Sequence, residues 1–390
     1  MTVFRAAGVW TPQGLRSDAV VVVDGPTIVE VREPAAGDPD PLEGILVPGL
    51  INAHLHLELS WMWGAVPGGA GFSTWVQTLM RVRRGEDPSP AVRRSAARAA
   101  AERLATYGTA AVSDISNAGD TAPLFLDVGV SGVVQREFLG MDLARIPAAL
   151  DAVRSCGSVE KNADATVRIR PSPHALVSTA PALLAASAAP VQGVPGSIHL
   201  SETQDELAFL RDGTGAFAAV LDGLGIPWTW FTPPGCTGAA YLDRLGLLGP
   251  ELLLVHGVHL THADRALIAE RGAPLCLCPR SNLHIEGGLP DVPALLDAGV
   301  ALCLGTDSLA SNADLDVLGE VSSLMKAFPE VNPGTWLDLA TRGGASALQL
   351  EGLGEIAVGR SPGLVLLEIS ALEALIEPPS RRWVWAPGPS

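Results

Sequence analysis

The chain has 390 residues, 47% of them hydrophobic and 17% charged, a mix that can bury a large core and excludes a disordered chain. Its formal net charge is −16, and only two of the 26 basic residues are lysines, Lys161 and Lys326. So acidic a surface repels phosphate backbones, which argues against nucleic acid and for a neutral or cationic small molecule as partner. Five cysteines (Cys156, Cys236, Cys276, Cys278 and Cys303) are odd in number, widely spread and flanked by apolar residues, which argues against a disulfide framework. Residues 1–9 lack the apolar core of a signal peptide, and no apolar run reaches the roughly 18–20 residues of a membrane span. The expectation is a reduced, cytoplasmic protein with no membrane partner. The chain is compatible with a homo-oligomer but does not specify one.

Taken in order, the first 45 residues read as short strands. Segments 19–23 and 28–31 are apolar or β-branched, and Asp24-Gly25-Pro26 between them is turn chemistry. The middle then alternates. Strand candidates cover 49–55 and end near Asp114, Glu137, Arg170, Leu200, His256, Cys278 and Asp307. Helix-like stretches fall between them at 90–108, 204–211, 262–271 and 292–299. The second follows a Ser-x-x-Gln start that reads as a capping box. Segment 228–240, with Pro233-Pro234-Gly235, is an extra loop before the sixth strand. Eight strands alternating with helices predict an α/β fold, a (β/α)8 TIM-like barrel. At the C-terminus, 354–359, 363–369 and 382–385 read as strands again, so a small β-sandwich domain formed from both termini is expected. The division is 1–45, 46–350 and 351–390, the barrel being the middle part.

All eight histidines lie between residues 54 and 284. His54, His56, His174, His199 and His256 each fall at or just past the C-terminal end of a strand candidate, the rim where such barrels build active sites. In His54-Leu55-His56, residues two apart on a strand point the same way, which presents two imidazole nitrogens to zinc or iron. His199 ends an apolar strand, and Glu202 follows three residues later. Its carboxylate suits a proton shuttle overhanging a metal, or a helix N-terminal acid stabilised by the dipole. His256 ends a run of four apolar residues, while His259 and His262 read as loop and cap residues. Asp307 comes directly after a buried strand beside Gly305 and Thr306. It suits an oxygen ligand completing the histidine set, a proton acceptor, or a helix cap.

Glu58 and Trp75 lie in the long segment after the first barrel strand, with Trp61, Trp63 and Phe72. These rings either stack on a flat heteroaromatic substrate or form a hydrophobic lid core. Arg136 and Glu137, ending the third strand, suit a ribose or carboxylate contact, or a rim salt bridge. His-Glu-x-x-His, Gly-x-Ser-x-Gly, P-loop and dinucleotide patterns are absent.

Five motifs occur in a fixed order: Pro48-Gly49-Leu50-Ile51-Asn52-Ala53-His54-Leu55-His56, His199-x-x-Glu202, His256-Gly257-Val258-His259, Cys278-Pro279-Arg280-Ser281-Asn282 and Gly305-Thr306-Asp307-Ser308. Over nearly the whole chain this resembles the amidohydrolase superfamily, in its branch of cytosine-deaminase-like and chlorohydrolase-like aminohydrolases. The resemblance implies His54, His56, His199 and Asp307 as metal ligands and Glu202 as proton shuttle. It also implies that His256 contacts the reactive water and His174 the substrate. Dinuclear members carry a carboxylated lysine at the end of strand four. Segment 166–170 has none, so one divalent metal is implied, zinc or alternatively iron. The last β-segment departs from the usual Gly-x-x-Ala-Asp, reading Gly359-Arg360-Ser361-Pro362-Gly363. His-x-His-Leu-Glu followed by Ser, with Phe72-x-x-Trp75, most resembles aminodeoxyfutalosine deaminases. The implied activity is hydrolytic release of ammonia from an adenine-type nucleoside or similar amino-heterocycle. Hydrolysis of a cyclic amide or chlorinated heterocycle is the second reading. A non-catalytic metal-binding protein on the same scaffold is the third.

Overall fold

A computed structural model describes residues 1–85 and 88–387. Its strands are β1 (Thr2–Thr11), β2 (Gly14–Asp24), β3 (Thr27–Arg32), β4 (Leu42–Pro48), β5 (Leu50–Leu55), β6 (Thr109–Ser116), β7 (Ser131–Phe138), β8 (Ser158–Lys161), β9 (Thr166–Pro173), β10 (Gly196–Leu200), β11 (Leu252–His256), β12 (Leu275–Leu277), β13 (Leu302–Leu304), β14 (Leu364–Leu367) and β15 (Arg381–Trp385).

The two ends of the chain meet in one mixed six-stranded sheet, in the order β15-β14-β4-β1-β2-β3. The ladder is unbroken because β4 pairs parallel with β1 on one side and antiparallel with β14 on the other. One continuous sheet therefore stands where two facing sheets were expected. Residues 19–23 of β2 are buried without alternation, so both faces of this sheet are covered. The strand expected at 354–359 is a turn. Gly354 and Gly359 have φ of +80° and +85°, and the segment only brackets Ile28 with two backbone hydrogen bonds of 2.8 Å. Gly49 then passes the chain from this sheet into the barrel. A Cβ there would lie 2.6 Å from the Ala110 Cβ and 2.7 Å from the Pro362 carbonyl, so only glycine fits between β4 and β5.

The barrel strands form two parallel runs, β5-β6-β7-β9 and β10-β11-β12-β13. Single parallel bridges join their edges, Ala175 to His199 at one seam and Leu55 to Asp307 at the other. Eight parallel strands thus succeed one another in ring order, the (β/α)8 arrangement. Both seams lie at the C-terminal rim, and each pairs one residue of the site, His199 or Asp307, with the chain neighbour of a histidine. Asn52 fastens the second seam from inside, donating to Thr306 Oγ1 (2.8 Å) and accepting from the Thr306 N–H (3.1 Å).

Strand β8 was not foreseen. It lies antiparallel on the first half of β9, with Lys161 opposite Thr166, so Lys161 sits at the strand end remote from His174. The helix expected at 204–211 runs Gln204–Asp212. Its cap is Thr203, which accepts from the Glu206 N–H, and not Ser201. The extra loop before the sixth strand carries a short helix, Gly238–Arg244, and Trp228 and Phe231 pack on Phe209. Among the described residues no helix is long and apolar enough to cross a membrane.

Candidate functional site

The apolar run of β5 is buried throughout and ends by delivering His54 and His56 to the rim, their ring centroids 5.1 Å apart. His199, from β10, lies 5.0 Å from His54 and 5.7 Å from His56. His256, ending β11, lies 5.8 Å from His54 and 5.4 Å from His199, and His174 lies 4.8 Å from His199. Asp307 closes the ring of side chains. Its Oδ1 is 3.4 Å from His56 Nε2 and 3.8 Å from His54 Nε2. Three of these strand-end turns hold a non-glycine residue at positive φ: Ser201 (+50°), His256 (+75°) and Asp307 (+57°). Such backbone is costly and is kept where surrounding structure over-determines it, as at a site that must aim side chains inward.

The donor set fits a divalent metal. One ligand atom each from His54, His56 and His199 lie within 4.8 Å of one another. Both ring nitrogens of His54 are buried with no hydrogen-bond partner, and a bound cation would take up the one that carries the lone pair. His199 Nδ1 lies 2.8 Å from the His174 carbonyl. It therefore donates there and leaves the Nε2 lone pair for a ligand role. Glu137, His174 and His199 form a second candidate grouping within the same distance. It shares that one lone pair of His199, so the two groupings cannot each hold an ion through it at once. Three nitrogens and one carboxylate oxygen make a common zinc set.

Electrostatics point the same way. Burial, then repulsion among the imidazoles, holds His54 well below its ordinary value. Burial likewise takes His56 down to about 3 and His174 to about 4. The cluster is thus a nest of neutral rings with free lone pairs. Burial opposes ionisation of Asp307, but the facing His56 and His256 and the Ser281 hydroxyl outweigh it, so the carboxylate stays below its usual range. Ser281 Oγ donates to Asp307 Oδ2 at 2.6 Å, with Ser311 Oγ at 3.2 Å from the same oxygen, so Oδ1 is the oxygen left to face the histidines.

Glu202 stands over this group, its Oε1 3.6 Å from His256 Nε2. Burial pushes its carboxyl up to about 8, so it holds a proton at neutral pH. Glu206 sets its position by accepting the N–H groups of Ser201 and Glu202, each at 2.9 Å. The Asn282 amide nitrogen lies 3.0 Å from His256 Nδ1, and its donation there leaves the ring proton on Nε2, toward Glu202. Ser281, Ser311, Glu206 and Asn282 had no role in the sequence reading. The only signal available was that Ser281-Asn282 closes the motif begun by Cys278.

The expected substrate residues divide. His174 is in the cluster, with Nδ1 held by Ser178 Oγ at 2.6 Å. Arg136 is not. On β7 the interior face carries Gln135 and Glu137, and Arg136 points to the other side, over the Phe138 ring at 5.4 Å. Glu137 is the residue of that pair turned to the cluster. Glu58 is one layer out. Its Oε2 accepts from the Asn117 N–H (2.9 Å) and Ser116 Oγ (3.1 Å), and Asn117 Nδ2 in turn donates to Glu137 Oε2 (2.7 Å). Trp75 is buried in a cluster with Met62, Val66, Val82, Ile285 and Ala310, which ties the helix Phe72–Gly85 down beside the Asp307 loop. Phe72 stacks on Phe217 at 6.3 Å. Trp63 is 55% exposed under the Arg103 guanidinium, so it belongs neither to a stack over the metal group nor to the lid core.

Gly305 explains the residue preceding Thr306 and Asp307. A Cβ there would lie 2.7 Å from the His54 Cβ and 2.8 Å from Cys276 Sγ. Gly305→Ala is therefore expected to displace His54, costing about 2 kcal/mol of stability in denaturant titrations, in the range of core overpacking. Metal affinity measured by competitive chelation should fall with it. A variant as stable and as tight as the parent would show that the contact relaxes without moving His54.

The chain was compared with known proteins. The model of the Amidohydrolase family matches residues 45–383. A 5-methylthioadenosine/S-adenosylhomocysteine deaminase of Nitratidesulfovibrio vulgaris (strain Hildenborough) is 30% identical over 397 residues, covering 95% of this chain and 84% of that protein. An aminodeoxyfutalosine deaminase of Deinococcus radiodurans is 31% identical over 354 residues, covering 85% and 81%. Among solved structures, an adenosine deaminase from Xanthomonas campestris with bound zinc superposes with a TM-score of 0.73 at 26% identity, covering 99% of this chain and 89% of that one.

Proposed function

Because the chain belongs to the amidohydrolase family, we propose that it is a zinc-dependent hydrolytic deaminase releasing ammonia from an adenine-type nucleoside. The observation that carries this reading is the proton-bearing Glu202 poised over a nest of neutral histidines that also holds Asp307. In this reading His54, His56, His199 and Asp307 hold the metal, which when bound supplies Lewis acidity and makes a water-derived nucleophile available near neutral pH.

The remaining steps belong to the chain's own residues. Asp307, its carboxylate oriented by the two serines on Oδ2, receives the proton released as the nucleophile forms. His256, with its proton on Nε2, orients the attacking oxygen toward the ring carbon that bears the amino group. Glu202 protonates the adjacent ring nitrogen, so negative charge does not accumulate there, and then regains a proton from the new hydroxyl group while the proton held by Asp307 passes to the departing ammonia. His174 and Glu137 border the space beside the ring and serve the rest of the substrate. Trp75 serves indirectly, by seating the lid helix. A cytoplasmic location accords with five unpaired cysteines, and the division at 45/46 and 350/351 stands as a proposal, with β4 running across the first boundary.

The test is an ammonia-release screen on metal-replete protein with adenosine, 5-methylthioadenosine, S-adenosylhomocysteine and aminodeoxyfutalosine. Turnover of at least one is expected. Protein that retains zinc and turns over none would instead favour a non-catalytic metal-binding scaffold.

A further inference from the structure

Arg280 is the charged centre of the motif Cys278-Pro279-Arg280-Ser281-Asn282, and it has no part in the chemistry above. The two residues after it orient the site. Ser281 Oγ donates to Asp307 Oδ2 at 2.6 Å, and the Asn282 amide nitrogen lies 3.0 Å from His256 Nδ1. Both stand on the short helix Pro279–Ile285. Among the described residues its cap position, Cys278, gives it no side-chain hydrogen bond. Pro279 has no N–H, so Arg280 carries the first backbone donor of the helix, and a partner for it must come from elsewhere in the fold.

That partner is Glu320, a fully buried residue of the helix Val317–Ala327. Its Oε2 accepts the Arg280 N–H at 2.9 Å, and its Oε1 accepts Arg280 Nε at 2.7 Å. One carboxylate therefore grips both the backbone and the side chain of Arg280. Oε1 also accepts from Asn312 Nδ2 at 2.8 Å, and the same amide nitrogen donates to the Thr306 carbonyl at 2.7 Å. Thr306 precedes Asp307 in the chain, and Ser311, whose Oγ lies 3.2 Å from Asp307 Oδ2, precedes Asn312. Glu320 thus holds, from one point, the helix that supplies Ser281 and Asn282 and the loop that supplies Asp307 and Ser311.

The rest of the guanidinium is enclosed as well. Arg280 Nη2 donates to Asp314 Oδ1 at 2.8 Å and to the Asp316 carbonyl at 3.0 Å, and the Asp316 carboxylate pairs with Arg381 of β15 at 2.5 Å. Room for it comes from Gly319, where a Cβ would lie 2.6 Å from the Arg280 Cζ. Such an ion pair is a weak source of stability, because taking both charges out of water offsets most of their attraction and an apolar pair of similar size is often as stable. What the pair supplies here is direction: the fork of Arg280 and the two oxygens of Glu320 admit one arrangement of the segments they join.

We propose that Glu320 and Arg280 are positioning residues of the site, clamping the helix Pro279–Ile285 against the Asp307 loop so that Ser281 holds Asp307 toward the histidines and Asn282 keeps the His256 proton on Nε2. The proposal rests on the reading of Asp307 as a zinc holder, and its kinetic part rests on the deaminase reading.

Zinc affinity measured by competitive chelation on E320Q, S281A and the double variant E320Q/S281A tests it, beside thermal midpoints of the same samples. E320Q should bind zinc about tenfold more weakly or worse, the range for groups that hold a metal ligand in place. The loss in the double variant should fall well short of the product of the two single losses, because both act through the same oxygen of Asp307. On the best nucleoside substrate, E320Q should lower kcat with KM little changed. A merely structural role predicts a lower midpoint with parental zinc affinity and parental kcat in the folded protein, and that result overturns the proposal. So do single losses that multiply in full. If E320Q does not fold, R280M/E320M carries the test, since it leaves neither charge of the pair facing an apolar partner. A midpoint near that of the parent with weakened zinc binding supports the clamp, and parental zinc binding overturns it. If the parent holds zinc but deaminates no adenine nucleoside, the deaminase reading fails and the zinc affinities alone decide this inference. If the parent binds no zinc, both fail.

Discussion

Stripping the protein with a chelator is expected to abolish ammonia release and lower the thermal midpoint by several degrees, and zinc added back to restore both. The physical basis is the state of the cluster without an ion. His54 is wholly buried, with both ring nitrogens lacking a partner, and each such group costs about 1–3 kcal/mol. A metal that binds only the folded chain adds about 4 kcal/mol when its free concentration is a thousandfold above its dissociation constant. Burial holds His56 at about 3 and His174 at about 4, against an ordinary 6.5, so as the pH falls below 6.5 the unfolded chain takes up protons that these rings refuse and their share of the stability declines. Glu202, held up at about 8, works in the opposite sense over the same range. Melting curves of stripped and zinc-restored protein, with metal content measured on the same samples, decide it. A verified metal-free protein with unchanged midpoint and rate would remove the metal from the account of this site.

The barrel and its ring of histidines were legible because they depend on short-range pattern. Leu50–Leu55 is buried along its whole length and apolar at four of its six positions, as suits a strand covered on both faces, and the chain leaving such a run emerges at the rim. The same periodicity was enough to separate Glu137 from Arg136, since Gln135 and Glu137 share a parity. Reading them as one pair missed this. Other features lay beyond any local pattern. The seams at Ala175–His199 and Leu55–Asp307 join residues far apart in the chain. The serine pair on Asp307 Oδ2 comes from two separate segments, Ser281 from the short helix Pro279–Ile285 and Ser311 from the loop after Asp307. The positive φ of Ser201, His256 and Asp307 is imposed by tertiary contacts on residue types that do not advertise it. The single sheet made from both termini escaped for the same reason. Nothing local to β4 says that it will have a neighbour from each end of the chain. Trp63 shows the opposite hazard. An aromatic residue near a site looks functional in sequence, whereas its ring lies under Arg103 at the surface.

Replacing Glu202 by glutamine is expected to lower kcat by about 10²–10⁴-fold, the contribution typical of a positioned acid–base group, while leaving zinc content and thermal midpoint close to those of the parent. The substitution keeps the shape of the side chain and removes only a proton that can be given and taken back. The fold has little reason to respond, because what fixes this position is the pair of backbone N–H groups of Ser201 and Glu202 on the Glu206 carboxylate, and those remain. The chemistry has every reason to respond. Glu202 Oε1 lies 3.6 Å from His256 Nε2, burial pushes its carboxyl up to about 8, and the adjacent His199 and His256 are buried neutral rings held below their ordinary value. None of them is a ready donor at neutral pH, and Asp307 is held ionised. The effect should therefore fall on kcat far more than on KM, because the missing proton matters as the ring nitrogen gains electron density and much less in the bound ground state. Steady-state kinetics on whichever nucleoside proves the best substrate, run beside metal analysis of the same variant, give the answer. A metal-replete E202Q protein at near-parental kcat would mean that the ring nitrogen is protonated by another group, and Glu202 would revert to the helix-terminal acid that its sequence position also allows.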